Sequence, residues 1–83
     1  MKKSYHEPIK SEEETTINVL YKEQVISVYT NKVDLQRKLL KVLGKPSEEY
    51  KRKQTIYASR WNIPMGEKSK ISQMILKANI YEL

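Results

Sequence analysis

The sequence predicts a two-layer α+β domain. Its sheet is small and antiparallel, with three or four strands, and two helices pack on one face in the order β-β-α-β-(β)-α. Three observations carry this expectation. Two β-rich runs, TTINVLY (15–21) and VISVYT (25–30), stand close together. Apolar residues then recur at helical spacing between Val33 and Leu43. A second stripe of the same period closes the chain, after Pro64 and Gly66. Strands with helices on one face bury both apolar surfaces in a single core.

The first fourteen residues, MKKSYHEPIKSEEE, hold few apolar groups and end in three glutamates. Such a segment cannot repay its ordering entropy, so 1–14 reads as a flexible tail and 15–83 as one domain. In TTINVLY, Ile17, Val19 and Tyr21 share one side, and Thr16, Asn18 and Leu20 the other. VISVYT follows Lys22-Glu23-Gln24, which makes a hairpin whose turn carries no Gly or Asn-Gly signal. Asn31, three residues ahead of Asp34, resembles a helix cap, and a helix is expected over about 32–43. Gly44 would close it with a left-handed residue, and Pro46 would keep it from resuming. Ser47-Glu48-Glu49 suggests one short helical turn, with Glu48 and Arg52, and Glu49 and Lys53, four residues apart. Gln54 to Ile63 is strand-like, either as one bent strand or as two short ones turning near Ala58-Ser59. The final helix, about 67–80, places Ile71, Met74, Ile75 and Ala78 on one side.

The strand around Trp61 allows two assignments. In the first, Tyr57, Trp61 and Ile63 pack under the helices, and Arg52, Gln54, Arg60 and Asn62 lie on the open face. In the second, Ile56 and Ala58 point inward with Ile17, Val19, Ile26 and Val28, leaving Tyr29, Tyr57 and Trp61 exposed as a stacking platform. The first is favoured, because a chain with no Phe and one Trp needs that Trp in its core. A bulge would flip the parity midway.

Length and composition bound the function. An 83-residue chain buries only about 60% of its unfolded surface and holds no cysteine to staple it. No apolar run approaches the roughly 18 residues of a membrane span, and no apolar run backs the lysines of MKKSYHEPIK, as a signal peptide requires. A cytoplasmic protein is expected. Abundant Lys, Ile, Tyr and Asn suit an AT-rich bacterial or phage genome. The net charge is +6; the first fourteen residues carry three lysines against four glutamates, which leaves thirteen cations against six carboxylates in the domain. Such a surplus attracts phosphate polyanions and acidic protein surfaces alike.

Catalysis finds little support. The single histidine, His6, lies in the expected tail, no Cys is present, and no serine has an evident base. Glu12-Glu13-Glu14 lacks the spacing of a metal loop, and "GEKS" at 66–69 lacks the upstream glycine of a phosphate loop. An RNA-cleaving enzyme built on Arg, Lys and Tyr is allowed by composition and indicated by no motif. No cofactor or metal is expected.

The leading expectation is therefore a small, basic, non-enzymatic protein that binds DNA or RNA. Arg52, Lys53, Arg60, Lys68 and Lys70 would contact phosphate, Ser69 would join the two lysines at the start of the last helix, and Tyr57 or Trp61 would pack or stack beside them. The alternative is a protein-interaction module, an inhibitor or accessory factor of phage or mobile-element origin, that uses the same basic surface against an acidic protein or extends a sheet edge. Homodimerisation through such an edge is the related expectation.

Overall fold

A computed structural model of the chain describes residues 3–70. In chain order the elements are β1 (Ser4–Tyr5), a 3₁₀ turn (Lys10–Glu12), β2 (Thr15–Leu20), β3 (Val25–Thr30), α1 (Val33–Leu43), β4 (Glu48–Arg52), β5 (Thr55–Pro64) and a 3₁₀ turn (Met65–Lys70). The fold is α+β, with a small mixed sheet of five strands. β5 is its spine. Residues 59–64 of β5 pair antiparallel with β3, which in turn pairs antiparallel with β2. On the other edge of β5 runs β4, also antiparallel. β1 lies parallel to the start of β5, with Ser4 opposite Thr55 and Tyr5 opposite Ile56.

Three features of this sheet correct the sequence reading. The sheet is mixed rather than antiparallel throughout, because β1 returns along β5 in the same direction. Its two residues are too short a run to leave a periodic signal. The segment expected as one helical turn, Glu48 and Glu49, opens β4 instead: each glutamate faces β5 across the ladder, Glu48 opposite Arg60 and Glu49 opposite Ser59. One α-helix, not two, stands among the described residues. Of the helix expected over 67–80, residues 67–70 belong to the 3₁₀ turn and the remainder lies outside the described residues.

The period-two pattern of the strands places one apolar face under α1. Val28, Trp61 and Ile63 from the sheet and Leu35 and Leu39 from the helix form the buried core, with Ile17, Ile26, Leu40 and Leu43 packed around it. Register explains the fit: Ile17 stands opposite Val28, Val28 opposite Trp61, and Ile26 opposite Ile63, so rows of apolar side chains cross three strands. Burying a tryptophan is worth about 5 kcal/mol at ~25 cal/mol per Å². Trp61 is 3% exposed, and its indole Nε1–H donates to the Gly44 carbonyl at 3.0 Å. Gly44 ends α1 at φ +82° and ψ −152°, a conformation open to glycine and costly for other residues. The glycine expected as a left-handed cap thus turns the chain so that its carbonyl meets the core tryptophan.

Polar groups are buried beside this core. Thr30 and Ser59 are enclosed, and Ser59 Oγ donates to Gln36 Oε1 at 2.7 Å from inside the helix–sheet interface. Asn31 does not cap α1. Its N-cap is Lys32, whose backbone N–H donates to Thr30 Oγ1 at 3.1 Å. The Asn31 amide reaches the N-terminal segment instead: Oδ1 accepts from Glu14 N–H at 2.7 Å, and Nδ2 donates to the Glu12 carbonyl at 2.8 Å. Residues 4–14, expected as a tail, therefore follow a defined path along the sheet. β1 and the His6 N–H bond to the Ile56 carbonyl, 2.9 Å, hold one end, and Asn31 holds the other.

Candidate ligand groove on the open face

The face of the sheet away from α1 carries Ser27, Tyr29, Tyr50, Ala58, Arg60 and Asn62, as strand alternation requires once Val28, Trp61 and Ile63 point inward. A groove of about 570 Å³ lies here, between the sheet and the N-terminal segment. His6, Pro8 and Glu12 form its outer wall; Tyr29, Asn31, Tyr50, Tyr57, Ala58 and Arg60 form its floor and sides.

Tyr57 reaches this face through a β-bulge. Tyr50 stands opposite Ala58 and Lys51 opposite Ile56, so Tyr57 has no partner in β4 and the alternation of β5 breaks there. Neither sequence assignment holds along the whole strand. Trp61 and Ile63 pack inward, as the first requires, while Tyr29 and Tyr57 line the open-face groove, as the second requires.

Two aromatic clusters occupy the groove. At the first, the His6 and Tyr57 rings stack with centroids 4.5 Å apart and planes 25° from parallel, and the Arg52 guanidinium lies 5.6 Å from the Tyr57 centroid. At the second, Tyr29 meets Tyr50 edge to face, 5.6 Å between centroids, and Arg60 sits 5.4 Å from the Tyr29 centroid. Cation–π geometry of this kind favours Arg, whose flat guanidinium covers a ring face.

Arg60 is held on several sides. Its Nη1 donates to Ser27 Oγ at 2.7 Å and its Nε to Tyr50 Oη at 3.1 Å; Glu48 Oε1 lies 3.5 Å from the same Nε and accepts from Tyr50 Oη at 3.0 Å. The hydrogen bond to Tyr50 raises the Arg60 pKa further above its ordinary value, so the guanidinium stays charged. Burial, helped by Glu14 and Tyr50 and opposed by Arg60, raises the pKa of Tyr29 above the usual phenol value. The Tyr29 phenol therefore stays neutral at physiological pH.

The expected site residues divide accordingly. Arg52, Tyr57 and Arg60 come together around one groove. Lys53 is exposed in the two-residue β4–β5 loop, beside Arg52. Trp61 is in the core and does not reach the open face. Lys68, Ser69 and Lys70 belong to the 3₁₀ turn at the end of the described chain. Sequence reasoning did not gather His6, Pro8 and Tyr50 into this site. For Tyr50 the missed signal was the strand around it; for His6 and Pro8, only the parallel pairing of β1 places them, and two residues leave no pattern to read.

Among the described residues, no group of three or more acidic or histidine side chains is placed to hold a metal ion, and no helix is long and apolar enough to cross a membrane. No protein-family model, no curated protein and no solved structure matches the chain.

Proposed function

We propose that this is a non-enzymatic nucleic-acid-binding protein of the cytoplasm, which holds the phosphate backbone with cations bordering the open-face groove. The observation that carries the reading is the placement of Arg52 over Tyr57, a ring that lines that groove. Arg52 and Lys53 are exposed, and neither has a carboxylate within 4.0 Å among the described residues. Their charge is therefore available to a polyanion. Other cations of this edge are already engaged: Glu49 binds Lys3 and lies 3.8 Å from Lys51, and Glu48 faces Arg60. Lys68 and Lys70, with Ser69, remain proposed phosphate contacts. The formal charge of +6 supplies long-range attraction.

The test is a titration of mixed-sequence DNA and RNA at low and moderate salt. Binding that weakens steeply as salt rises is expected, because each neutralised phosphate releases counterions. Absence of binding to both polymers at low salt overturns the proposal.

A second reading, docking to a protein by strand addition, has its own support. β2 is paired only with β3 among the described residues, and its sequence TTINVL contains no charge, proline or bulge to discourage pairing. Val19 and Leu20 are each 41% exposed. A stoichiometric protein partner, or a second copy of this chain, would be seen as an added mass in light scattering that Val19→Lys removes. An unchanged monomer mass, with no co-purifying partner, disposes of it.

A further inference from the structure

The two aromatic clusters have the chemistry of nucleobase stations, and we infer that the open-face groove takes the unstacked bases of a single strand. This rests on the nucleic-acid reading above and adds to it the kind of nucleic acid and the rings that hold it.

Stacking needs a ring face presented parallel to a base, with electrostatic support nearby. The first cluster already contains such an arrangement: Arg52, Tyr57 and His6 are drawn together, and the His6 imidazole lies over Tyr57 much as a base would. His6 itself is exposed, so a base can extend the pile. The second cluster offers Tyr50, 39% exposed, braced edge-on against Tyr29. Arg60 serves here as a positioning residue: its bonds to Tyr50 Oη and Ser27 Oγ and its place over Tyr29 fix both rings. The groove joining the clusters, about 570 Å³, falls within the usual range of ligand sites. Its outer wall is anchored, because both amide atoms of Asn31 are used to hold Glu12 and Glu14.

Duplex bases do not fit this chemistry. Their faces are covered by their neighbours, and only splayed bases can reach rings on a sheet surface. The phosphates of a strand lying in the groove would meet Arg52 and Lys53 at the hairpin end, so charge and aromatic surface are supplied along one path.

The experiment is a fluorescence-anisotropy titration of the full chain at low salt. Its ligands, each of about ten nucleotides, are a mixed-sequence single strand, the duplex of that sequence, and an abasic strand that keeps the phosphates without the bases. Deoxyribose and ribose versions are run side by side, and the tighter identifies the natural strand. The expected result is a single strand bound at least about tenfold more tightly than duplex or abasic strand, with Tyr50→Ala and Tyr57→Ala each weakening it by roughly fivefold to a hundredfold. Tyr57→Phe keeps the ring and should bind as the native chain does. Because the abasic arm uses unaltered protein, the outcome does not depend on any variant folding. Equal affinity for all three ligands overturns this inference and leaves the phosphate-contact reading standing. No binding by any of them overturns both.

Discussion

The buried hydrogen bond between Ser59 and Gln36 allows a sharp test of how α1 is locked to the sheet. Gln36 is 0% and Ser59 1% exposed, and Ser59 Oγ donates to Gln36 Oε1 at 2.7 Å. The other end of the same amide, Nε2, finds no hydrogen-bond partner among the described residues. The amide is therefore half satisfied in a buried interface. Ser59→Ala removes its one bond and strands the oxygen as well. A lost net hydrogen bond and an unpaired buried acceptor together cost about 2 kcal/mol. In a domain of this size each kcal/mol shifts the melting temperature by about 4–8 °C, so a fall of roughly 8–16 °C is expected.

Gln36→Met keeps the length of the side chain and suits a helix, but removes both amide atoms. It gives up the bond and leaves the buried Ser59 hydroxyl unpaired, but it also removes the unpaired Nε2, so the two changes should nearly cancel. The double variant, with neither polar partner left, should be as stable as the native chain or more so. Urea unfolding followed through Trp61, the single and buried tryptophan, reads all four proteins. The coupling between the two substitutions should be about 2 kcal/mol in magnitude or slightly more. The reasoning fails if Ser59→Ala is neutral, or if the double variant is less stable than Ser59→Ala alone.

Gly44→Ala should cost about 1–3 kcal/mol from backbone strain alone, since a Cβ there would meet no atom within 4 Å; a melting curve unchanged from the native chain would show that φ +82° is not needed. Stability should fall as pH rises beyond 10. The raised Tyr29 keeps its proton in the fold after the unfolded chain has lost its own, so the contribution is fully present below the ordinary phenol value of 10.0 and is lost as pH climbs through the folded one. Thermal melts across that range should slope less steeply in Tyr29→Phe, and an identical slope would exclude this origin. Tyr5, also raised by burial, should leave part of the slope behind. Arg52→Ala should weaken nucleic-acid binding and reduce the magnitude of the log affinity–log salt slope by about 0.7 for a single strand, where an unaltered slope would remove Arg52 from the phosphate contacts.

Much of the scaffold is legible in the residues. The β2–β3 hairpin, α1 and its end at Gly44 follow from alternation, helical period and a glycine ahead of a proline. The β4–β5 hairpin is not, for a physical reason. EEYKR is an edge strand with one apolar-bodied residue, and its glutamates are kept there by cross-strand and tertiary partners, Arg60 and Lys3, that no local pattern reveals. Its two-residue loop is equally opaque, because Lys53 holds φ +57° where Gly or Asn would have marked the turn. Gln24 does the same, at φ +58°, between β2 and β3. The sheet tolerates two left-handed non-glycine residues, each costing about 1 kcal/mol, so the strands on either side, rather than the turns, set the register.

The groove depends on one residue that period-two reasoning cannot place. Tyr57 and Trp61 stand an even number of positions apart, and along a regular strand they must share a face. Both would then be buried, or both exposed. Burying both would leave the first aromatic cluster without its central ring. Exposing both would take from the core its one indole and the hydrogen bond to Gly44. The bulge at Tyr57 resolves the conflict with one unpaired residue. It shifts the parity between Ile56 and Ala58, so the second half of β5 builds the core with Trp61 and Ile63 while its first half delivers Tyr57 to His6 and Arg52. Bulges recur where a strand must re-aim a side chain for function. Among the described residues, the irregularity in the β5 ladder falls at the residue on which the first aromatic cluster is built.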